Sequence, residues 1–414
     1  MAPRDTVLGI VQAGGKGSRM DVLTRERAKP VLPFAGSYKL IDFALSSLAN
    51  SGIEDVWVSV QYQVSSLDRY LSGGRPWDLD RNRGGFRRVV PESGSGPASE
   101  EGFAHGNADL LLRMRADLEQ WAPDTIVVTS ADHVFAMDLR PVIAAHQEAG
   151  AACTLVTAKV TRAEAAHNVV VLESEGRVYG IETKPSAPSS GTVATELFVY
   201  DRDALLAAVD ALRAERSRVK AAEGDESDDS GLGDFGDLLL PRLIETGPVL
   251  ALPIEGYWRD VGRPDAYLLG HRELLDGKVD ALARPNWPIM SHWPDLPPAR
   301  FGASALVRES LVSSGCDVGG EVTGSVLSPG VVVEPGAVVR GSVLLDGAYV
   351  ESGAVVQTAV LDCSVRVGRK AVVGADIGRR RAKDEDIVLV GMDASIGAGV
   401  VIEPGGRLEP GTVA

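Results

Sequence analysis

The sequence predicts an α/β domain with a mostly parallel sheet, followed in the same chain by a parallel β-helix. Three observations carry this. Short apolar runs alternate with amphipathic helical patterns over residues 1–275, the rhythm of βαβ units. One such run, Val7-Leu8-Gly9-Ile10-Val11, opens into the glycine-rich stretch Ala13-Gly14-Gly15-Lys16-Gly17-Ser18-Arg19-Met20. Beyond residue 304 an apolar position recurs every six residues, a period that suits neither an amphipathic helix nor a simple alternating strand.

Taken in order, the first run reads as a buried strand. Its three glycines, Gly14, Gly15 and Gly17, allow a sharp turn and let backbone N–H groups approach an anion. Arg19 and Lys29 add fixed positive charge, so the stretch describes a triphosphate cradle; the plainer alternative is a turn and nothing more. The spacing matches neither Gly-x-Gly-x-x-Gly nor Gly-x-x-x-x-Gly-Lys-Ser/Thr, so dinucleotide and P-loop readings do not fit. Ile41, Ala44, Leu45 and Leu48 give one apolar helix face, which Gly52 ends. Strands are expected over 56–60 and 125–129, the second running into Ser130-Ala131-Asp132-His133, then a helix over 141–149 and a strand over 153–156. Ligands of such sheets sit beyond the carboxyl ends of the strands, and the glycine turn and Asp132 share that edge.

Residues 217–233, with Glu223-Gly224-Asp225-Glu226-Ser227-Asp228-Asp229-Ser230, read as a solvated surface loop. Residues 276–303 are rich in proline and tryptophan (Pro285-Asn286-Trp287-Pro288, Trp293-Pro294) and are expected to tie two domains, 1–275 and 304–414. In the second, Val331, Ala337, Val343, Tyr349, Val355, Leu361, Val367 and Val373 fill one six-residue register, and Ile396, Ile402 and Leu408 resume it. The pattern predicts hexapeptide coils with one apolar side chain per hexad pointing inward. The break at 375–389 carries Arg379-Arg380-Arg381 and is expected to loop out; the cluster reads as solvated, with an effector-phosphate contact as the lesser alternative.

Composition narrows the classes. The 414 residues are 44% hydrophobic and 24% charged, as in an ordinary globular protein, and the net charge of −15 speaks against nucleic acid as a bulk partner. Cys153, Cys316 and Cys363 are widely spaced and odd in number, which suits a reducing compartment and offers no CxxC metal framework. The N-terminal residues lack an apolar leader pattern, and no apolar run reaches the length of a membrane span. A cytoplasmic protein without a membrane partner is expected.

Several segments then resemble one family, in its order. They are the glycine-rich turn with Arg19, Arg27-Ala28-Lys29-Pro30, Ile41-Asp42-Phe43-Ala44-Leu45-Ser46, Gln61-Tyr62-Gln63, Gly106-Asn107-Ala108-Asp109 and Asp132-His133. Lys184-Pro185, Asp234-Phe235-Gly236, Tyr257-Trp258-Arg259-Asp260-Val261-Gly262 and Asn286-Trp287-Pro288-Ile289 complete it with the hexapeptide C-terminus. Together they resemble the bacterial ADP-glucose pyrophosphorylases (glucose-1-phosphate adenylyltransferases). The resemblance implies a Rossmann-like nucleotidyltransferase domain, a left-handed β-helix that serves oligomerisation and regulation, and a homotetramer open to an anionic allosteric effector. It implies that a sugar-1-phosphate oxygen attacks the α-phosphorus of ATP and pyrophosphate leaves, chemistry that needs mainly positioning and charge neutralisation. By the same resemblance Arg19, Lys29, Asp132 and Asp260 are catalytic, and Asp132 and Asp260 hold Mg²⁺. Two carboxylates 128 positions apart are no metal motif by spacing alone. Gly14, Gly15, Gly17, Gln61, Gly106 and Asp109 fall to the nucleotide, the last two at a helix start; Ala104, Asn168, Thr183, Lys184 and Glu196 fall to the sugar phosphate.

The departures from the family pattern cluster. Thr183-Lys184-Pro185 replaces Glu-Lys-Pro, His167-Asn168-Val169 replaces Phe-Gly-Val, and Ala194-Thr195-Glu196 replaces Ser-Met-Gly. Glu196 is therefore expected to contact a sugar hydroxyl or the amine of a 2-amino sugar, unless the rim is simply tolerant. Pro91-Glu92-Ser93-Gly94 stands for Pro-Ala-Gln-Gln, and Ala104 for an aromatic residue, which leaves the base open. Glu26 aligns with a lysine that enterobacterial members use for a sugar-bisphosphate activator, and its charge predicts weak or absent fructose-1,6-bisphosphate activation. The rival readings are the same reaction on another sugar 1-phosphate, such as glucosamine 1-phosphate, or another nucleotide, and a non-catalytic regulatory subunit. An acyltransferase reading of the repeats lacks a histidine on the β-helix, since the last one is His292.

Overall fold

The computed structural model describes residues 6–15, 17–82, 84–90, 104, 106–223, 230–378 and 380–414. The Pro91-Glu92-Ser93-Gly94 stretch, Lys16, Arg379 and most of the acidic run lie outside them. A nine-stranded sheet organises the first part. Its strands lie in the order Gly85–Val89, Asp55–Ser59, Val7–Gln12, Thr125–Ser130, Thr192–Asp201, Cys153–Lys159, Val249–Pro253, Arg177–Thr183 and Val169–Ser174. The first four run parallel. Thr192–Asp201 then runs against both of its neighbours, and the last two strands form a hairpin. The sheet is thus parallel where it carries the glycine turn and mixed beyond it. Gln12 pairs with Ser130, which brings the turn and Asp132 to one edge.

Alternating burial covers both faces of this sheet. Leu8, Ile10, Ile126 and Val128 pack on one side with Leu110, Leu111, Leu205 and Leu239. Val11, Val58 and Val127 pack on the other with Ile41, Ala44, Leu45 and Leu48 of the helix Leu40–Asn50. Gly52 follows that helix at φ +77, a left-handed conformation in which a side chain would be strained. The helix Arg202–Glu223 occupies part of what the sequence reads as a solvated loop, residues 217–223. The strong helix formers of Arg213-Ala214-Glu215-Arg216, continued by Lys220-Ala221-Ala222, extend it past the last core contact at Leu212.

From Arg300 the chain coils into three parallel six-stranded sheets, the arrangement of a left-handed β-helix. The coils depart from a strict hexad register. In the middle of the solenoid, partners such as Val332 and Tyr349, Val338 and Val355, and Val343 and Val360 lie 17 residues apart, one short of three hexads. The inward positions therefore include Val333, Val350 and Val367, and Val339, Val356 and Val373. Tyr349 points outward and donates to Glu334 at 2.6 Å, and Val355 is half-buried. Val343 is buried too, but on the outer face of the solenoid. It joins Val326, Val360 and Leu389 in a core shared with Phe34, Phe43 and Tyr267 of the first part.

The proline- and tryptophan-rich segment lies along the helix Leu40–Asn50. Ser46 Oγ accepts from Met290 N (2.8 Å), Asn50 Nδ2 donates to the Pro288 carbonyl (2.9 Å), and Trp293 meets Tyr38 edge-on at 5.0 Å.

Candidate active site

Two local structures assemble the site. Strand Thr125–Ser130 ends in a turn that presents Asp132, and His133–Phe135 follows as a short strand. That strand pairs antiparallel with Trp258–Asp260, setting Asp260 opposite His133. This pairing is what unites two carboxylates so far apart in sequence. They stand at the rim of a cleft of about 620 Å³ whose wall includes Gly14, Gly15, Arg19, Thr183, Lys184 and Glu196.

The electrostatics of the rim are concentrated. Lys29 is buried and its ammonium donates to Asp132 Oδ2, while Ser130 Oγ donates to Asp132 Oδ1. Burial alone would raise the Asp132 carboxyl; the Lys29 ammonium and the His133 ring outweigh it and hold it well below the usual carboxylate range. Burial pushes Glu196 up, and Asp132 and Asp260 add to that against the pull of His133. For His133 burial works downward, but Asp132, Glu196 and Asp260 prevail and raise it. Asp260 Oδ1 accepts from Gly262 N at 2.7 Å. Asp132, His133 and Glu196 each bring a possible ligand atom to within 4.8 Å of the other two. Carboxylate oxygens and an imidazole nitrogen grouped this closely fit a divalent metal ion.

Among known proteins, residues 8–277 match the nucleotidyl transferase family. The chain belongs to that family. Residues 297–390 match a second, described as GlmU-like, C-terminal hexapeptide. Among curated relatives, this nucleotidyl transferase is 36% identical over 334 residues to a glucose-1-phosphate adenylyltransferase of Bacillus licheniformis, covering 80% of this chain and 84% of that one. It is 36% identical over 355 residues to the Streptomyces coelicolor protein of the same name, again covering 80% and 84%. A Fervidobacterium nodosum protein of that name is 31% identical over 427 residues, covering 97% of this chain and 99% of its own.

Several residues of this nucleotidyl transferase sit differently from the expectation. Gly17 is at φ +68 but lies off the cleft wall, where an added Cβ would come within 3.1 Å of Lys29 Cβ. Gly14 is small for another reason: a Cβ there would meet Gln61 Oε1 at 2.6 Å. In the amide orientation that satisfies both ends, Gln61 donates to the Gly14 carbonyl (3.1 Å) and accepts from Ala104 N (2.5 Å). Gln61 and Ala104 both line the cleft, and this amide braces the glycine turn against the Ala104 backbone. Gly106, at φ +102, precedes the helix Asn107–Arg113, yet the Gly233 carbonyl accepts from Ala108 N (3.2 Å) and Asp109 N (3.4 Å). Asp109 is fully buried, off the cleft wall, and pairs with Arg113 at 3.0 Å. Its environment is that of a structural ion pair.

Of the residues expected at the sugar phosphate, Asn168 lines the cleft while its amide donates to the Glu164 carbonyl at 2.8 Å. Thr183 Oγ1 donates to the Gly236 carbonyl at 3.0 Å, and Lys184 reaches Asp234 at 3.8 Å from an exposed position. Four lining residues escaped the sequence reading, Gln12, Leu110, Gly233 and Asp237. Gln12 ends the first strand and its amide donates to the Asn107 carbonyl at 3.1 Å; its place immediately before the glycine turn was the available signal.

The basic cluster is not simply solvated. Arg380 pairs with Asp386 at 2.6 Å, and Arg381 crosses from the β-helix to Glu164 at 3.3 Å. Glu164 also receives Arg259 at 3.1 Å, the neighbour of Asp260. Glu26 is exposed.

Proposed function

We propose that this chain forms ADP-glucose and pyrophosphate from ATP and glucose 1-phosphate. The observation that carries the reading is the pairing of His133–Phe135 with Trp258–Asp260, which gathers Asp132 and Asp260 beside the buried Lys29 on the rim of one cleft. The names of the curated relatives, which cover most of the chain, support the same substrates.

In this reading a phosphate oxygen of glucose 1-phosphate attacks the α-phosphorus. The bond between the α-phosphorus and its bridging oxygen breaks, and the pyrophosphate carries that oxygen away. Lys184, on the cleft wall, grips the sugar phosphate, and Arg19, exposed on the same wall, meets the charge that builds on the leaving group. Gln61 keeps the glycine turn in place through Gly14 and Ala104. Asp132 and Asp260 would hold a divalent cation, expected to be Mg²⁺, which when bound neutralises phosphate charge. Lys29 balances Asp132 from within the protein.

Residues 1–275 are proposed as the catalytic unit, 276–303 as the linker, and 304–414 as the unit of oligomerisation and regulation. A cytoplasmic homotetramer responsive to an anionic effector completes the proposal; among the described residues no helix is long and apolar enough to cross a membrane. The test is pyrophosphate release over a grid of nucleoside triphosphates and sugar 1-phosphates with Mg²⁺. A maximum at ATP with glucose 1-phosphate is expected. A maximum at another pair would reassign the substrate, and silence from a folded, ATP-binding protein would favour a regulatory subunit.

A further inference from the structure

We infer that Glu164 is a positioning residue for the phosphate end of the sugar substrate, and that the β-helix completes it by contributing Arg381. The inference rests on the reading of Lys184 and Asp260 as the groups that meet the sugar phosphate and its cation, and deepens it.

Glu164 lies off the cleft wall, on the one-turn helix Arg162–Ala165. Its three acceptor oxygens serve three parts of the chain. Oε2 accepts from Thr161 N (3.2 Å) and Thr161 Oγ1 (2.8 Å), which closes the capping box of its own helix. Oε1 accepts from Arg259 at 3.1 Å and from Arg381 at 3.3 Å. The backbone carbonyl accepts from Asn168 Nδ2 at 2.8 Å.

Two of these links continue to the cleft, on different walls. Arg259 also donates to both oxygens of Glu273, at 2.6 and 2.9 Å. Gripped from two sides, it fixes the strand Trp258–Asp260 against His133–Phe135, and with it the rim position of Asp260. Asn168 passes the other link on, since its own carbonyl accepts from Lys184 N at 3.0 Å. Lys184 stands at φ +46, a left-handed backbone that a residue with a side chain keeps only where its surroundings brace it. A displaced Glu164 therefore disturbs Lys184 and Asp260 together, and both line the cleft. Arg381 reaches this point from the break in the β-helix, and among the described residues its guanidinium pairs with no other carboxylate.

The test reads kinetics and amide exchange in the full-length protein. Glu164→Ala should raise KM for glucose 1-phosphate about tenfold and KM for ATP by no more than about twofold, the scale of losing a group that orients others. Glu164→Gln, which keeps one acceptor for the guanidinium groups, should recover part of the loss. Arg381→Met should move the same constant in the same direction by about threefold, as a partly exposed pair allows. It should add nothing in the Glu164→Ala background, because it acts through that carboxylate. Hydrogen exchange should rise at the Lys184 amide and across residues 258–260 in both single variants, with or without turnover. Arg381 is 45% exposed, so Arg381→Met keeps its fold and decides the matter even where Glu164→Ala does not fold.

An unchanged KM for glucose 1-phosphate, equal rises for both substrates, or an Arg381→Met effect that persists in the double variant would overturn the inference. So would unchanged exchange at Lys184. A parent protein that releases no pyrophosphate, yet whose variants show the exchange response, would sink the reaction and leave the linkage. An active parent whose variants lack the response would do the reverse.

Discussion

The Lys29 ammonium donates directly to the Asp132 carboxylate, with side-chain exposures of 7% and 25%. A cation this well shielded is worth far more to nearby phosphate charge than an exposed one. Lys29→Gln should lower kcat/KM by about a hundredfold or more, the scale of removing one preorganised electrostatic group. An unchanged kcat/KM in a pyrophosphate-release assay would remove Lys29 from the mechanism.

Arg381 and Arg259 both reach Glu164, and against the upward push of burial the Thr161 hydrogen bonds and the Arg259 guanidinium pull its carboxyl down to about 2. A depressed carboxyl stabilises the fold above its unfolded value, near 4.5, and that contribution is lost as pH falls toward 2. Glu164→Gln should therefore lower the urea midpoint at pH 7, and the gap from the parent protein should narrow at pH 3. A gap that stays constant with pH would separate the loss from the charge.

His271 sits between Phe34 and Tyr267, accepts from Ala35 N at 3.2 Å, and is lowered by burial to about 4. Between about 6.5 and 4 the unfolded chain takes up a proton that the folded one refuses, so stability falls with pH at up to about 1.4 kcal/mol per unit. Denaturation of His271→Gln across that window should show a shallower slope. Equal slopes would mean the ring titrates normally in the fold.

At Gly106, with φ +102, an added Cβ would come within 2.3 Å of the Gly233 carbonyl oxygen, a backbone atom with little room to yield. Gly106→Ala should destabilise the protein by about 2 kcal/mol or more. It should also raise KM for the nucleotide, because the Asn107 amide next to it holds Phe235 N at 2.6 Å on the cleft wall. Thermal melts and initial rates check both.

Local signals carried the sequence reading far. The run 7–11, the glycine turn and the face of Ile41, Ala44, Leu45 and Leu48 fold as their periodicity dictates, and a repeat near six residues announces the β-helix. Small register effects were hidden. One residue missing from three hexads turns Tyr349 outward and sends Val343 to a different core, and no composition signal marks the slip. Contacts between distant segments were hidden too. Nothing near Asp260 indicates that it will pair with His133, and nothing near Arg381 names Glu164, 217 positions earlier. The burial of Asp109 was missed because a carboxylate in the first turn of a helix reads equally as a ligand contact or as an ion pair.

Stacked coils that touch only their neighbours can open from either end, one turn at a time. In this chain Val326, Val343, Val360 and Leu389 sit one above another in a single sheet and are sunk into the same core as Phe34, Phe43 and Tyr267. The solenoid is welded along its flank. A protease or a pulling force that works inward from the C-terminal coils meets a seam it cannot pass without also lifting the floor of the catalytic half, so the two parts should fail together.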